Sequence, residues 1–362
     1  MTTIQNQIVG KKEDVTDELL MLNPHQTPML KLVGYGEPTT QVEHTWYEDE
    51  MYADETQTTA IATDADTTLT VADGSIFEPK HVIKIGDEFL LVTAVNGNDL
   101  TVTRGYADTT AEAITADAKV EFQFVEGVEG ADARKARYKA RTRHSNITQI
   151  FDETVSISGT LAATSQYSID DLYEYEKQKK QLELALQLEK AVITGIRYES
   201  PDGLVRQMGG LRNFIVTNVI DANGADLTED KLTDLFQPVY EKGGFATGGN
   251  YKIIVGAKQK RAISKIAKDQ QRLDRLDNGR GQTVDHYLTD FGSAEIVLNN
   301  NLNADEVFFV DINRVEIKPL QTRGFAHEYL GKKGDYSEGQ IVGEYTLELH
   351  QEKAHARLKG LK

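Results

Sequence analysis

Cysteine is absent from this 362-residue chain, which excludes disulfides, thiol catalysis and zinc–thiolate sites at once. Its stability must come from packing, hydrogen bonds or contacts with other copies. Long apolar runs are missing as well. No stretch approaches the roughly 18 uninterrupted apolar residues of a membrane span. The opening Met1-Thr2-Thr3-Ile4-Gln5-Asn6 has none of the marks of a signal peptide. Positive charge is in the minority, 40 basic residues against 57 acidic ones, for a formal charge of −17. A general nucleic-acid binder neutralises phosphates with Lys and Arg, so this balance argues against one.

Catalytic and ligand-binding motifs are missing too. The histidines His25, His44, His81, His144, His286, His327, His350 and His355 show no His-Glu-x-x-His or other metal spacing. His350 and His355 read as members of one strand, facing opposite ways. Gly-x-Ser-x-Gly does not occur. The glycine-rich run Gly243-Gly244-Phe245-Ala246-Thr247-Gly248-Gly249 lacks the Gly-Lys-Ser/Thr ending of a phosphate loop and leads into a strand, so it reads as a plain loop. We expect no enzyme, no metal and no cofactor.

What the chain does contain is a sequence of differently built segments, and 362 residues with 39 % hydrophobic content suit two or three domains. Residues 11–36 lead through Asn23-Pro24-His25-Gln26-Thr27-Pro28, whose prolines predict an extended path beyond them. A polar strand over 41–51 carries the only tryptophan, Trp46. Short strands follow at 68–71, 81–85, 89–95, 100–104 and 119–124. Gly86-Asp87 and Asn96-Gly97 supply turn signals between them, which predicts a small β barrel or sandwich. From Asp54 to Glu121 this part holds 13 acidic and 4 basic residues.

Ser168-Ile169-Asp170-Asp171 predicts the start of the longest helix, with Ser168 as cap, running to about Ile196. Leu184, Leu188 and Val192 mark its apolar side. Beyond it we read a strand at 213–218, a helix over 228–242, a buried strand at 251–255, and a basic amphipathic helix over 257–267. A charged loop at 272–283, strands at 293–298 and 306–311, and further strands from 314 onward complete the chain.

The sharpest local pattern is a ladder of Lys135, Arg137, Lys139, Arg141 and Arg143 at every second position. On a strand all five share one face. A nucleic-acid contact, a solvated face, and pairing with Glu43, Glu48, Asp49 and Glu50 are the three readings. Pairing is favoured, because only Tyr138 interleaves as a stacking aromatic. These nine residues are the predicted inter-subunit assembly contact.

The order of parts resembles the tailed-bacteriophage major capsid protein family, whose fold is shared with encapsulins and the herpesvirus capsid floor. The resemblance rests on Glu18-Leu19-Leu20, Asn23 to Pro28, His44-Thr45-Trp46, Leu100 to Gly105, Gly209-Gly210-Leu211, Gly343 to Glu348 and Glu352 to Ala356. It implies an α+β capsid fold: an N-terminal arm (1–37), E-loop arms (38–52 and 128–165), and an inserted β domain (53–127). A peripheral domain with the spine helix (166–211 and 314–362) and an axial domain (212–313) complete it. The implied function is self-assembly, as pentamers and hexamers, into the icosahedral shell around a tailed phage's double-stranded DNA. Because little chain precedes the arm, a separate scaffolding protein is expected. A portal, a decoration protein and non-specifically touched DNA are the other implied partners, with no membrane. The alternatives are an encapsulin-like nanocompartment shell and a tail or baseplate protein.

Overall fold

The computed structural model describes residues 27–130, 132–134, 136–164, 171–246, 248–270, 286–332 and 334–362. Two compact units emerge, Tyr47–Thr142 and the combination of Met1–Trp46 with Arg143–Lys362. The first described elements are helix α1 (Pro28–Val33) and strand β1 (Glu43–Glu48). The helix overturns the extended path expected after Pro28. Proline suits the first helical position, where its missing N–H costs nothing. The N–H groups of its first turn, which have no partner within the helix, are satisfied by a carboxylate from elsewhere, described below.

The unit Tyr47–Thr142 contains β2 (Glu55–Gln57), β3 (Thr68–Thr70), β4 (His81–Ile85), β5 (Glu88–Asn96), β6 (Asp99–Thr103) and β7 (Lys119–Val125). They form one six-stranded sheet in the order β2-β7-β4-β5-β6-β3. Its two ends meet. Thr58 bridges Val71, and the amides of Thr59 and Ala72 donate to the carbonyls of Thr70 and Gln57, at 2.9 Å each. The sheet is therefore closed into a barrel and has no free edge to recruit foreign strands. Leu69, Val71, Ile83, Leu90, Val92, Leu100, Val102 and Val120 fill it. Gly97, at φ +62°, turns the β5–β6 hairpin, and its carbonyl lies where any side chain on Gly74 would sit.

Such a unit carries its own core and its own closed hydrogen-bond ladder. Expressed alone, residues 47–142 are expected to give a dispersed amide NMR spectrum. A random-coil spectrum would show that the barrel depends on the rest of the chain.

The second unit continues with β8 (Thr142–Ile147), which pairs with β1, then β9 (Gln149–Ser158), α2 (Gly159–Ala163) and α3 (Leu172–Thr194). Asp171 caps α3 by accepting the amides of Tyr173 and Glu174, at 2.9 and 3.2 Å. The expected cap Ser168 lies outside the described residues. At 1.5 Å per residue the described helix is about 35 Å long. A hairpin of β10 (Tyr198–Glu199) and β11 (Arg206–Gln207) follows, then α4 (Leu211–Phe214) and β12 (Val219–Asp221).

A helical turn and a later strand thus replace the single strand expected over 213–218. Gly210 is wedged against the end of α3, where an added Cβ would lie 2.5 Å from the carbonyl of Ala191. From there the amides of Asn213 and Phe214 fold back on the Gly210 carbonyl, at 3.0 and 3.2 Å, which starts a helix.

Next come α5 (Glu229–Glu241), capped by Thr228, β13 (Tyr251–Val255), α6 (Ala257–Gln270), β14 (His286–Thr289), β15 (Gly292–Leu298) and β16 (Val307–Asp311). The charged loop expected at 272–283 lies outside the described residues. β17 (Val315–Pro319), β18 (Ala326–Lys332), β19 (Tyr336–Leu349) and β20 (Ala356–Lys359) end the chain.

Two sheets result. One is β12-β20-β16-β13-β15-β14, and the other joins β17, β19 and β18, with β9 also paired to β19. The six-stranded sheet is covered on both faces. Ile254, Phe308 and Val310 meet Leu184, Leu188, Val192 and Ile193 of α3 in one core. Ile253, Val255, Val307 and Phe309 meet Leu232, Leu235, Phe236 and Val239 of α5 and Ile263 of α6 in the other. This explains the unbroken apolar run Val307-Phe308-Phe309-Val310, since both faces of the strand are buried.

Candidate assembly surfaces

The ribbon of β1 and β8 is anchored at its root by aromatic and ionic contacts. Trp46, only 5 % exposed, stacks on His44 and His144 at centroid distances of 6.0 and 6.1 Å. Phe214 and His350 meet its edges at 5.8 and 6.3 Å. Beside it, buried Glu348 accepts hydrogen bonds from His44 Nε2 at 2.8 Å, from His350 Nε2 at 2.9 Å, and from Lys318 Nζ. Burial alone would raise the Glu348 carboxyl. The bonds from His350, His44 and Lys318 outweigh it and hold the group far below the usual carboxylate range.

A second buried acid fastens α1. Both oxygens of Glu189, on α3, accept backbone amides at 3.0 Å, those of Met29 and Leu30, and Asn299 Nδ2 donates at 2.6 Å. Thr27 makes no side-chain cap, so this carboxylate does the capping from another helix. Burial, the largest influence, pushes its titration above the ordinary value. The sequence held one sign of it: an acid interrupts the apolar side of α3 between Leu188 and Val192. Two more buried acids hold arginines, Glu344 with Arg206 and Arg323 at 3.0 and 2.9 Å, and Glu306 with Arg212 at 2.7 Å.

The basic ladder is distributed among several partners. Lys135 lies outside the described residues. Residues 136–141 carry no strand hydrogen bonding, and only Arg143 belongs to β8, so the ladder is not one continuous strand face. Arg137 is held inside the barrel unit by the Ile76 carbonyl at 2.9 Å, Glu78 at 3.8 Å and the ring of Tyr52 at 3.9 Å. Lys139 pairs with Glu50 at 3.2 Å and Arg141 with Asp49 at 3.5 Å. Arg143 reaches Glu43 at 3.7 Å, and Arg197 shares that acid at 3.3 Å. The Ser145 hydroxyl, then Arg143 and Arg197, hold the Glu43 carboxyl below its ordinary value. Glu48 is buried at the end of β1, unlike its neighbours Asp49 and Glu50.

These pairs stay wet. The side chains of Arg141 and Asp49 are 72 % and 62 % exposed, so each pair contributes about 0–1 kcal/mol to the single chain. Among the described residues no helix is long and apolar enough to cross a membrane.

Comparison with known proteins fits this architecture. A native GTA particle's capsid protein superposes with a TM-score of 0.55 at 12 % identity, covering 97 % of this chain and 96 % of that one. The capsid protein of Gordonia phage Cozz gives 0.54 at 10 % identity, covering 98 % and 92 %. That of cyanophage A-1(L) gives 0.53 at 10 % identity, covering 99 % and 98 %. At such identities the likeness establishes the fold. No curated protein matches. The profile of the SU10 major capsid protein family, however, matches residues 1–362. The encapsulin-like and tail or baseplate alternatives gain nothing from it. The chain therefore belongs to the SU10 major capsid protein family, a structural protein of the virion shell and not an enzyme.

Proposed function

We propose that this capsid protein closes its shell from pentamers and hexamers, and that the arms on either side of the barrel are where neighbouring copies grip. In this reading residues 1–37 are the N-terminal arm, and 38–52 with 128–165 are the E-loop that carries the β domain 53–127. Residues 166–211 with 314–362 make the peripheral domain, and 212–313 make the axial domain. A scaffolding protein, a portal and a decoration protein complete the set of partners, and packaged DNA is touched without sequence preference.

The observation that supports the grip is the row of exposed pairs Lys139–Glu50, Arg141–Asp49 and Arg143–Glu43. Arg141 and Asp49, the most exposed of these groups, keep unused hydrogen-bonding positions for a second copy. Each pair is worth little, but in a shell the contact recurs at every subunit.

Reversing Lys139, Arg141 and Arg143 to Glu is expected to cut the yield of closed shells at least about tenfold, since like charges at a contact are strongly disfavoured. The monomer should keep its far-UV circular dichroism. For the unaltered protein, rising salt should weaken assembly. Shells that form normally but retain no DNA would identify the ladder as a nucleic-acid contact instead.

A further inference from the structure

The lobe around the six-stranded sheet carries two outward helix faces of opposite charge. Helix α5 turns Leu232, Leu235, Phe236 and Val239 into the core and leaves Asp230, Asp234, Gln237 and Glu241 exposed. Spacings of four, three and four keep those residues in one row. Helix α6 buries Ile263 in the same core and leaves Lys258, Arg261 and Lys265 exposed, again in one row. Both helices therefore cover the same face of the sheet.

Such segregation is unusual within this chain. Helix α3 mixes its surface charges and pairs them internally, Lys177 with Glu174, Lys179 with Glu176 and Lys180 with Glu183. By contrast, Lys258, Arg261 and Lys265 make no ion pair with any described residue, nor do Asp230 and Asp234. Like charges one turn apart repel each other. A basic row persisting in a chain of charge −17 calls for an acidic counterpart.

We propose that the basic row of α6 in one copy docks on the acidic row of α5 in the next. Charge complementarity selects a second copy over DNA. A duplex approaching α6 would meet the acids of α5 on the same side of the sheet, whereas a neighbouring copy uses both rows. In this docking the contact is heterologous, head to tail, the kind that makes a ring when the rotation between copies closes and an open filament when it does not. This rests on the ring assembly proposed above and adds which surfaces meet.

Two full-length variants test it. One carries K258E/R261E/K265E, so both rows are acidic. The other carries D230K/D234K/E241K, so both are basic. All the altered side chains are exposed, and unchanged thermal unfolding confirms the fold. Each variant alone should form rings at least about tenfold less than the parent chain at low salt, by native mass and negative-stain microscopy. Mixed in equal amounts, they should recover rings, because alternating copies make every contact complementary. Alternation requires an even number of members, so hexamers should return without pentamers. Either variant forming rings alone, or a mixture that fails to recover them, overturns the docking while leaving ring assembly intact. Normal rings with lost DNA retention in the acidic variant also overturn it. If the parent chain makes no rings even with its scaffold, both readings fall.

Discussion

Replacing Arg104 with alanine is expected to destabilise the barrel by about 3–5 kcal/mol, the usual consequence of removing one partner of a buried ion pair. Arg104 Nε and Nη2 donate to the two oxygens of Glu88 at 2.8 and 2.7 Å. The two side chains are only 8 % and 2 % exposed. The remaining guanidinium hydrogens reach the carbonyls of Thr63 at 2.5 Å, Asp66 at 3.3 Å, and Glu112. Glu88 also accepts the amides of Gly105 and Glu112, at 2.9 and 3.3 Å. One fork thus ties together both long connections that flank the barrel strands. Without it a buried carboxylate keeps only backbone donors, the carbonyls of Asp66 and Glu112 lose the guanidinium, and that of Thr63 keeps only the Asp66 amide. For a unit near 100 residues the loss corresponds to a melting shift on the order of 15 °C or more. Calorimetry of the full chain should show the barrel transition moving down while the other transition stays. Arg104→Lys should recover little, since an ammonium cannot make the forked contact. A shift of only a few degrees would mean that solvent already screens the pair.

Glu88 and Arg104 also mark the limit of what the sequence showed. The barrel strands were legible because alternation and two-residue turns are local signals: one hairpin turns at Gly86-Asp87, and the other at Gly97-Asn98, one residue beyond the Asn96-Gly97 signal. The closure of the sheet between Thr58 and Val71 was not legible, because it rests on an isolated bridge at the ends of β2 and β3, strands of only three residues each. Apolar runs placed β13 and β16, and the helix read over 228–242 forms as α5. Helices α1 and α4 escaped because their starts depend on distant groups, the Glu189 carboxylate and the wedge of Gly210 against α3. The ladder's charges were plain, but its backbone was not: hydrogen-bonded pairing begins only at Thr142. His350 and His355 looked like two members of one strand. A helical turn at 352–354 separates them, and His355 Nε2 instead reaches the His350 carbonyl.

That buried imidazole carries the second large effect, a loss of stability in mild acid. The Asp311 amide donates to His355 Nδ1 at 3.2 Å, and Nε2 faces the carbonyl of His350 at 3.2 Å. Nδ1 must therefore be bare and Nε2 protonated. A second proton would set N–H against N–H, in full burial. Burial, then nearby Arg314 and His350, push its titration down to about 3, even though the His350 carbonyl favours the charged form. The unfolded chain takes up that proton near pH 6.5. Since the folded value lies below the unfolded one, this stabilisation is complete above about pH 6.5 and is lost as pH falls towards 3. At up to 1.36 kcal/mol per pH unit, it removes about 2–3 kcal/mol by pH 4.5 and about 4–5 kcal/mol by pH 3. Glu189 works the other way. Its folded value is raised, so its protonation favours the fold as pH falls through that value towards 4.5. Glu348 is depressed, so its contribution is lost only below about pH 4.5. The window from 6.5 to 4.5 thus sets His355 against Glu189. Urea unfolding followed through Trp46 reports the unit that holds all three groups. Midpoints should be read in place of intensities, because three imidazoles surround that ring. His355→Gln keeps an acceptor and a donor without the titration, and should flatten or reverse the slope in this window. Glu189→Gln should steepen it. A slope unchanged by His355→Gln would show that the imidazole reaches solvent before unfolding.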